Sequence, residues 1–449
     1  MIDAAKWFSA MKLRSSFSYR TNRAYRVVTH KRSSHAESGD SPLFSRANQQ
    51  SCSPLVRKFH FVVVFEIIVC DNPISADGTM FFTEKCKGLS VRLPSGANNK
   101  LHAIGGVADY ASTSADLFCD GQAGMMGVEV DPDFEKNRQI YVYSSSKLNG
   151  KLNNRLMRMK VDAAFTNVSD RTDIVPDVNY KPVATKHPFG GPGAHNGGRV
   201  RFSPLDGFIY VTTGDNHKGE CPQSPTLICG KVLRIDRDGK AAPDNKPPAG
   251  FDPRIYAYGL RNPQGIAFRP SDGRPFIAEN GPWHSDEVTA LSNGGNGGWD
   301  PRPNMAGRKD CPDDYCGYSP NQMGAMDPKK RVKFMPMTDL KTYPNAMKPA
   351  WNNRGLSQGM FSNTFVSGKQ WKDWDGRMIV GYSGIGIHGT PVGNRLDVLK
   401  VSADGISSSV VEASWPTATG RFRAVSQGPD GNLYVALEDQ GVIIRVTPQ

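Results

Sequence analysis

The sequence predicts an all-β fold, a six-bladed β-propeller of four-stranded antiparallel sheets, from three observations. One phrase recurs six times: a tight Asp-Gly or similar turn, an apolar and aromatic run, then a small or acidic close. It reads DGTMFFTE at 77–84, NRQIYVYSS at 137–145, DGFIYVTTGD at 206–215, DGRPFIAENG at 272–281, DGRMIVGYSG at 375–384 and DGNLYVALED at 430–439. Self-similarity of this kind marks a repeat architecture. A second pattern, alternating apolar and basic residues, follows several copies: LMRMKVD at 156–162, VLRIDRDG at 232–239, LDVLKVSADG at 396–405 and VIIRVTP at 442–448. Finally, 46 Gly and 32 Pro with only 22% charged residues exclude a coiled coil or helical bundle.

Each element has a local reason. Asp-Gly supplies the positive φ angles of a hairpin turn, and Ile, Val, Tyr and Phe suit a half-buried strand. The apolar-basic alternation reads as the outer strands of antiparallel sheets. Units of roughly 55 to 70 residues, worth about four strands each, match propeller blades. A pair of β-sandwiches would supply the strands without explaining six copies of one phrase. The longer interval between 272 and 375 carries an insertion. The propeller is assigned to residues 73–449, and residues 1–72 read as an atypical N-terminal extension.

The formal charge of +12 raises nucleic acid as a partner, but residues 1–76 hold eleven Lys and Arg against five Asp and Glu. Half the excess sits in that arm, so it is thin over the body, where it reads as a solvated face rather than a nucleic-acid surface. No run of about eighteen apolar residues spans a membrane as a helix. FHFVVVFEIIVC at 59–70, interrupted by Glu66, reads as part of an export signal behind a misplaced start, as a buried strand, or as an out-of-frame translation. Six cysteines form plausible pairs: Cys86 with Cys119, Cys221 with Cys229, Cys311 with Cys316. No C-x-x-C zinc spacing occurs. Local disulfides fit an oxidising compartment, periplasmic or secreted.

Gly-flanked polar clusters between the strand phrases are where chemistry belongs. His195 lies among glycines, so a ligand can approach; it is a candidate general base, or a structural histidine in a turn. Asp215 closes the strand of the same blade and is a candidate partner for the imidazole, or an ordinary turn residue. Arg261 and Asn262, held extended before a proline, can grip an anionic or carbonyl-rich ligand. Arg421 and Arg423 alternate about Phe422 and would share an anion on one strand face, or lie solvated. Gly281 and Pro282 with Asp286 and Glu287 offer hard oxygen donors suited to Ca²⁺, without EF-hand spacing.

Taken in order, GQAGMMGVEVDPDF, AHNGGRVRFSPLDGFIYVTTGD, GKVLRIDRDG, YGLRNPQGIAF, ENGPWHSDEV, GGNGGWD and RFRAVSQGPDGNLYVALED resemble the soluble glucose/sorbosone dehydrogenases that use pyrroloquinoline quinone. The resemblance runs from about residue 77 to the C-terminus. It implies that His195 is the base taking the proton of a sugar's anomeric hydroxyl during hydride transfer to the quinone. It implies that Asp215 supports this histidine and that Arg261 polarises the quinone oxygen. Gln122, Asn262, Arg421 and Arg423 are implied as cofactor contacts, Trp351 as the aromatic platform for the cofactor ring, and the carbonyls of Gly281 and Pro282 as Ca²⁺ ligands.

The sequence also departs from the family. After the fifth strand phrase, GYSGIGIHGTPVGNR lacks the lysine that many members pair with a cofactor carboxylate; Arg395 or His388 are the candidate substitutes. Ala424 stands where an Asp usually follows the second arginine. The resulting expectation is a quinoprotein that oxidises an aldose or sorbosone-type sugar and passes electrons to an external acceptor, as a monomer or homodimer. A Ca²⁺-dependent propeller lactonase and a non-enzymatic ligand-binding propeller are the rivals.

Overall fold

A computed structural model describes residues 58–63, 73–93, 101–105, 116–147, 152–179, 194–282, 284–302, 332–333, 335–384, 393–415 and 420–448. All of these fall within one compact unit, Pro54–Gln449. They form six sheets of a β-propeller with almost no helix. Blade one has Met80–Glu84, Gly88–Arg92 and Leu101–Ile104. Blade two has Met125–Val130, Gln139–Ser146, Asn153–Val161 and Val168–Asn179. Blade three has Gly197–Phe202, Ile209–Thr213, Lys231–Ile235 and Ile255–Tyr258, with Gly295–Asn296 added in parallel at its edge.

Blade four has Pro263–Phe268, Pro275–Glu279, Glu287–Ala290 and Trp351–Asn352. Blade five has Met360–Phe365, Met378–Tyr382, Leu396–Val401 and Ser408–Trp415. Blade six has Phe422–Gln427, Leu433–Leu437 and Val442–Thr447, and its fourth strand is Lys58–Val63. That strand pairs antiparallel with the third, from Lys58 opposite Thr447 to Val63 opposite Val442. A segment grouped by sequence with the N-terminal extension thus completes the last sheet.

The recurrent phrase proves to be the second strand in blades two to six. It is apolar at both parities because a strand inside a blade is packed on both faces. In blade two, Ile140 and Val142 join the core shared with blade one, while Tyr141 and Tyr143 join the core shared with blade three. In blade three, Ile209 and Val211 face blade two, and Tyr210 faces blade four. Blades four and five meet around Phe276, Ala278, Met378 and Val380, and blades five and six around Ile379, Leu433 and Val435. The ring closes where Ala424, Tyr434 and Ala436 of blade six pack on Met80 and Phe82 of blade one. The seams bury between six and fourteen hydrophobic side chains each, and a large one is worth about 1.5–3 kcal/mol relative to exposure.

The alternating strands assigned by sequence to blade edges are third strands. The fourth strand lies beyond them in blades two, three, five and six. Two expected disulfides are present, Cys86–Cys119 and Cys221–Cys229, with Cα atoms 5.4 Å apart in each. Cys311 and Cys316 lie outside the described residues. No helix among the described residues is long and apolar enough to cross a membrane.

Because Lys58–Val63 covers the edge of Val442–Thr447, a chain beginning after residue 63 exposes that edge. Thermal unfolding followed by circular dichroism is expected to give a lower midpoint for it than for a chain beginning at residue 57.

Candidate active site

The innermost strands of successive blades pack in chain order, and the residues entering them gather at one rim. His195 lies two residues ahead of Gly197–Phe202, Asn262 immediately precedes Pro263–Phe268, and Gln122 lies just ahead of Met125–Val130. Asp215 and Glu279 arrive at the same rim from the ends of second strands. The crossing is close: a Cβ on Gly214 would fall 2.0 Å from the carbonyl oxygen of His195. Glycine is therefore what allows the His195 loop to lie against the strand that ends in Asp215.

His195 is 5% exposed and Asp215 fully buried. Nδ1 of His195 lies 2.8 Å from Oδ1 of Asp215. The same oxygen accepts the backbone N–H of His217 at 3.0 Å, and Oδ2 accepts the indole N–H of Trp299 at 2.9 Å. On its other side, Nε2 of His195 lies 2.8 Å from Nε2 of His217. Burial, followed by the nearby Arg261 guanidinium, holds His195 well below the usual imidazole range. A neutral imidazole is the form that can accept a proton.

Asp215 N donates to the Arg261 carbonyl at 2.7 Å, joining blades three and four. Arg261 is 4% exposed, donates from Nη1 to the Asn280 carbonyl at 2.7 Å, and lies 5.7 Å over the Trp299 ring. Its Nε is buried without a hydrogen-bond partner, as are both polar atoms of the Asn280 side chain. The Gln122 carbonyl oxygen accepts from His195 N, Asn262 Nδ2 and Gln264 Nε2, each at 3.2 Å. Gln264 in turn accepts from Arg423 Nη1 at 3.3 Å. The Arg423 guanidinium sits 3.9 Å over the Phe361 ring.

His195, Asp215, Arg261, Asn262, Gln122 and Arg423 therefore form one connected group. Arg421 has other partners: it is half-buried, pairs with Glu438 at 3.3 Å and donates to the Gly384 carbonyl at 3.1 Å. The two arginines bracket Phe422, which is core, and have different protein partners. Trp351 is not brought to the group. It lies on the outermost strand of blade four, paired through Val288 and 6.0 Å from the Tyr382 ring.

The expected metal carboxylates are committed inside the protein. Asp286 accepts from Gly281 N at 2.9 Å, Ser357 Oγ at 2.6 Å and Gln358 N at 2.6 Å. Glu287 accepts from Asn352 Nδ2 and Thr338 Oγ1, both at 2.7 Å. Each carboxylate oxygen thus has a protein donor, and no cluster of three metal-ligating side chains occurs among the described residues. Of the substitutes for the missing lysine, Arg395 is paired with Asp397 and with Gln358, and His388 lies outside the described residues. Ala424 faces the apolar seam with Met80 and Phe82, where an aspartate would be buried without water.

Sequence reasoning passed over His217, Trp299, Gln264, Glu279 and Lys231. Trp299 stood inside the quoted motif GGNGGWD, and Gln264 two residues after Asn262, so position alone pointed to both. Nothing local marks Lys231. It is fully buried, and its ammonium donates to the carbonyls of Cys221, Pro222 and Cys229 at 2.5 to 3.0 Å, so the disulfide loop caps it. Burial pushes its pKa down to about 7, against the pull of Asp215.

With this geometry in place, comparison with known proteins identifies the class. A family model described as Glucose / Sorbosone dehydrogenase matches residues 72–445. The chain belongs to that family. Aldose sugar dehydrogenase YliI of Escherichia coli strain K12 is 25% identical over 367 residues, covering 81% of this chain and 87% of the relative. Quinoprotein glucose dehydrogenase B of Acinetobacter calcoaceticus is 31% identical over 255 residues, 52% of this chain and 50% of the relative. The fold is shared with the apo-form of the soluble aldose sugar dehydrogenase from Escherichia coli, at a TM-score of 0.67 and 21% identity over 87% of this chain and 99% of that one. It is shared likewise with the PQQ-bound aldose sugar dehydrogenase from Streptomyces coelicolor, at 0.61 and 19% over 88% and 98%.

Behind Arg261, Glu279 accepts the backbone N–H groups of Arg261 and Asn262 on one oxygen. Burial raises its pKa from 4.5 to about 8. A raised carboxyl pKa means the folded state holds the proton more tightly, so stability falls as pH climbs from the unfolded value toward the folded one. The contribution of Glu279 to the melting temperature is expected to decline between pH 4.5 and about 8. Glu279→Gln, which keeps the accepting oxygen and removes the titration, is expected to flatten that decline.

Proposed function

We propose that this chain is a quinoprotein oxidoreductase that oxidises an aldose or sorbosone-type sugar at C1 and passes the electrons to an external acceptor. The observation that carries the reading is the buried His195–Asp215 pair set beside Arg261, whose Nε has no protein partner. A buried guanidinium nitrogen left without an acceptor is costly unless a ligand supplies one.

The residues fit pyrroloquinoline quinone, an anionic and carbonyl-rich group. Arg261, Arg423, Asn262 and Gln122 would hold it, with Arg421 at the rim; the buried Asn280 amide, unpartnered on both polar atoms, adds a donor and an acceptor nearby. When bound, the quinone supplies a two-electron acceptor that the side chains lack. The chain's own part is proton handling and orientation. Asp215 fixes the His195 ring through Nδ1, so that Nε2 is the atom that takes the hydroxyl proton. Phe361 and Trp299 carry the Arg423 and Arg261 guanidiniums on their faces and limit where those charges can move.

Calcium fits less of the site than the sequence suggested. Asp286 and Glu287 are each held by internal donors, and the backbone carbonyls of Gly281 and Pro282 are the donors that would reach a cation together with the cofactor. The two disulfides support an oxidising compartment, periplasmic or secreted.

Titrating the purified protein with pyrroloquinoline quinone and Ca²⁺ is expected to give a saturable absorbance change, followed by dye reduction with aldoses. His195→Ala is expected to lower turnover by about 10²–10⁴-fold while the absorbance titration stays near that of the parent. Lactone hydrolysis without quinone, or full activity in His195→Ala, contradicts the reading.

A further inference from the structure

Lys231 opens the third strand of blade three and is fully buried, yet the chemistry proposed above leaves it without a part. Its Cα lies opposite Thr213, and its backbone N–H donates to the Thr213 hydroxyl at 3.0 Å. Gly230 N donates to the Gly214 carbonyl at 2.9 Å. The strand that begins at Lys231 is thus clamped to the strand that runs into Asp215. The register sets Asp215 two residues beyond the partner of Lys231, a diagonal separation that a long side chain spans.

All three ammonium protons go to neutral groups, the carbonyls of Cys221 at 2.5 Å, Pro222 at 3.0 Å and Cys229 at 3.0 Å. The Cys221–Cys229 disulfide ties two of these three residues together, so the carbonyl cage is closed covalently. Such a cage fixes the position of a positive charge without neutralising it. A buried ammonium is strongly unfavourable unless an opposite charge is close. Asp215 supplies that charge: burial pulls the Lys231 pKa down to about 7, and the carboxylate acts against the pull. The attraction is mutual, so the ammonium favours the ionised carboxylate in return.

We infer that Lys231 is the counter-charge of the His195–Asp215 pair, a cation fixed by the disulfide loop so that the imidazole gives up its proton readily. The inference rests on the reading of His195 as the base, and Lys231 is a positioning residue that acts through Asp215. An ionised Asp215 at Nδ1 favours the imidazolium and would by itself make His195 retain the proton it takes. Lys231 offsets that field. Facing the pair as well are Arg261, which acts on His195 in the same sense, and His217 at Nε2. Around Lys231 the further charges are Arg302, paired with Asp300, and the Lys218–Glu220 pair of the same loop.

The test uses Lys231→Gln, whose amide can still donate to the loop carbonyls while the charge is gone, and Lys231→Met, which loses both. Each is compared with the parent by circular dichroism, by the pH profile of kcat/KM with quinone bound, and by ¹⁵N-histidine NMR titration without cofactor. Removing the cation favours the imidazolium, so His195 should titrate at higher pH, and the acid limb of kcat/KM should move up with it. On that limb kcat/KM of Lys231→Gln should fall about tenfold, the effect of one charge at several ångströms in a partly screened interior. The acid side is where the ammonium is fully protonated, so parent and variant differ most there. Lys231→Met should show the same shift together with a lower melting temperature from its orphaned carbonyls.

A folded Lys231→Gln whose His195 titration and acid limb coincide with those of the parent overturns the proposal, since Lys231 would then serve the loop alone. A His195 titration that moves to lower pH overturns it too, because the charge effect would have the wrong sign. Should neither variant fold, the parent decides. With ¹³C-labelled lysine, the His195 imidazole resonances must step at the pH where Lys231 loses its proton, and a Lys231 titration without that step overturns the proposal. If His195→Ala turns over normally, the base reading fails, and the cofactor-free titration still decides whether Lys231 sets the charge balance of the pair.

Discussion

The burial of one carboxylate, Asp215, is the constraint around which the rim is built. A buried carboxylate is strongly destabilising unless donors satisfy it. Here the donors come from separate parts of the chain: His195 from the entry to blade three, the His217 backbone from the following turn, and the Trp299 indole from beyond the edge strand of that blade. Lys231, held by the carbonyls of the Cys221–Cys229 loop, places a cation nearby. Moving any of these leaves a polar atom in a dry site, which is why the imidazole is confined to one orientation.

The propeller makes such a convergence inexpensive in chain length. Every blade starts its innermost strand at the same rim, so residues as distant as Gln122, His195, Asn262 and Arg423 become neighbours without long loops. The seams provide the rigidity. Each second strand divides its side chains between two apolar cores, so a blade cannot tilt without disturbing both neighbours. Polar contacts across blades then fix the fine positions. Gln122 bridges blades two, three and four through one oxygen, and Gln264 passes that link to Arg423 of blade six.

The repeat was legible because a strand packed on both faces leaves a dense signal, an unbroken apolar run after a turn. Blade edges were harder. The third strands carry basic residues, as edge strands do, because Arg158 and Arg234 pair with carboxylates of nearby turns, and the pattern cannot tell the two positions apart. The strand at Lys58–Val63 was obscured by its distance from its partner, nearly the whole chain away in sequence. Within the site, His195, Asp215 and Arg261 stood out through glycine-rich surroundings and motif order. His217 did not, because a histidine after Asn216 in a polar turn looks solvated until the fold closes over it. Spacing suggested that Arg421 and Arg423 act together, yet the fold gives one to Glu438 and the other to Phe361 and Gln264. Asp286 and Glu287 stood out as carboxylates, whereas the donors that hold them, Ser357, Gln358, Thr338 and Asn352, lie too far along the chain to be read with them.

The hydrogen bond between His195 and Asp215 is the link most open to direct observation. Proton NMR of the cofactor-free protein should show one exchange-protected, strongly downfield imidazole N–H that correlates with ¹⁵N of His195. In Asp215→Asn, verified as folded by circular dichroism, that resonance should disappear. Its persistence at the same position in Asp215→Asn would show that the carboxylate does not hold the ring, and the account of the site would fail at its centre.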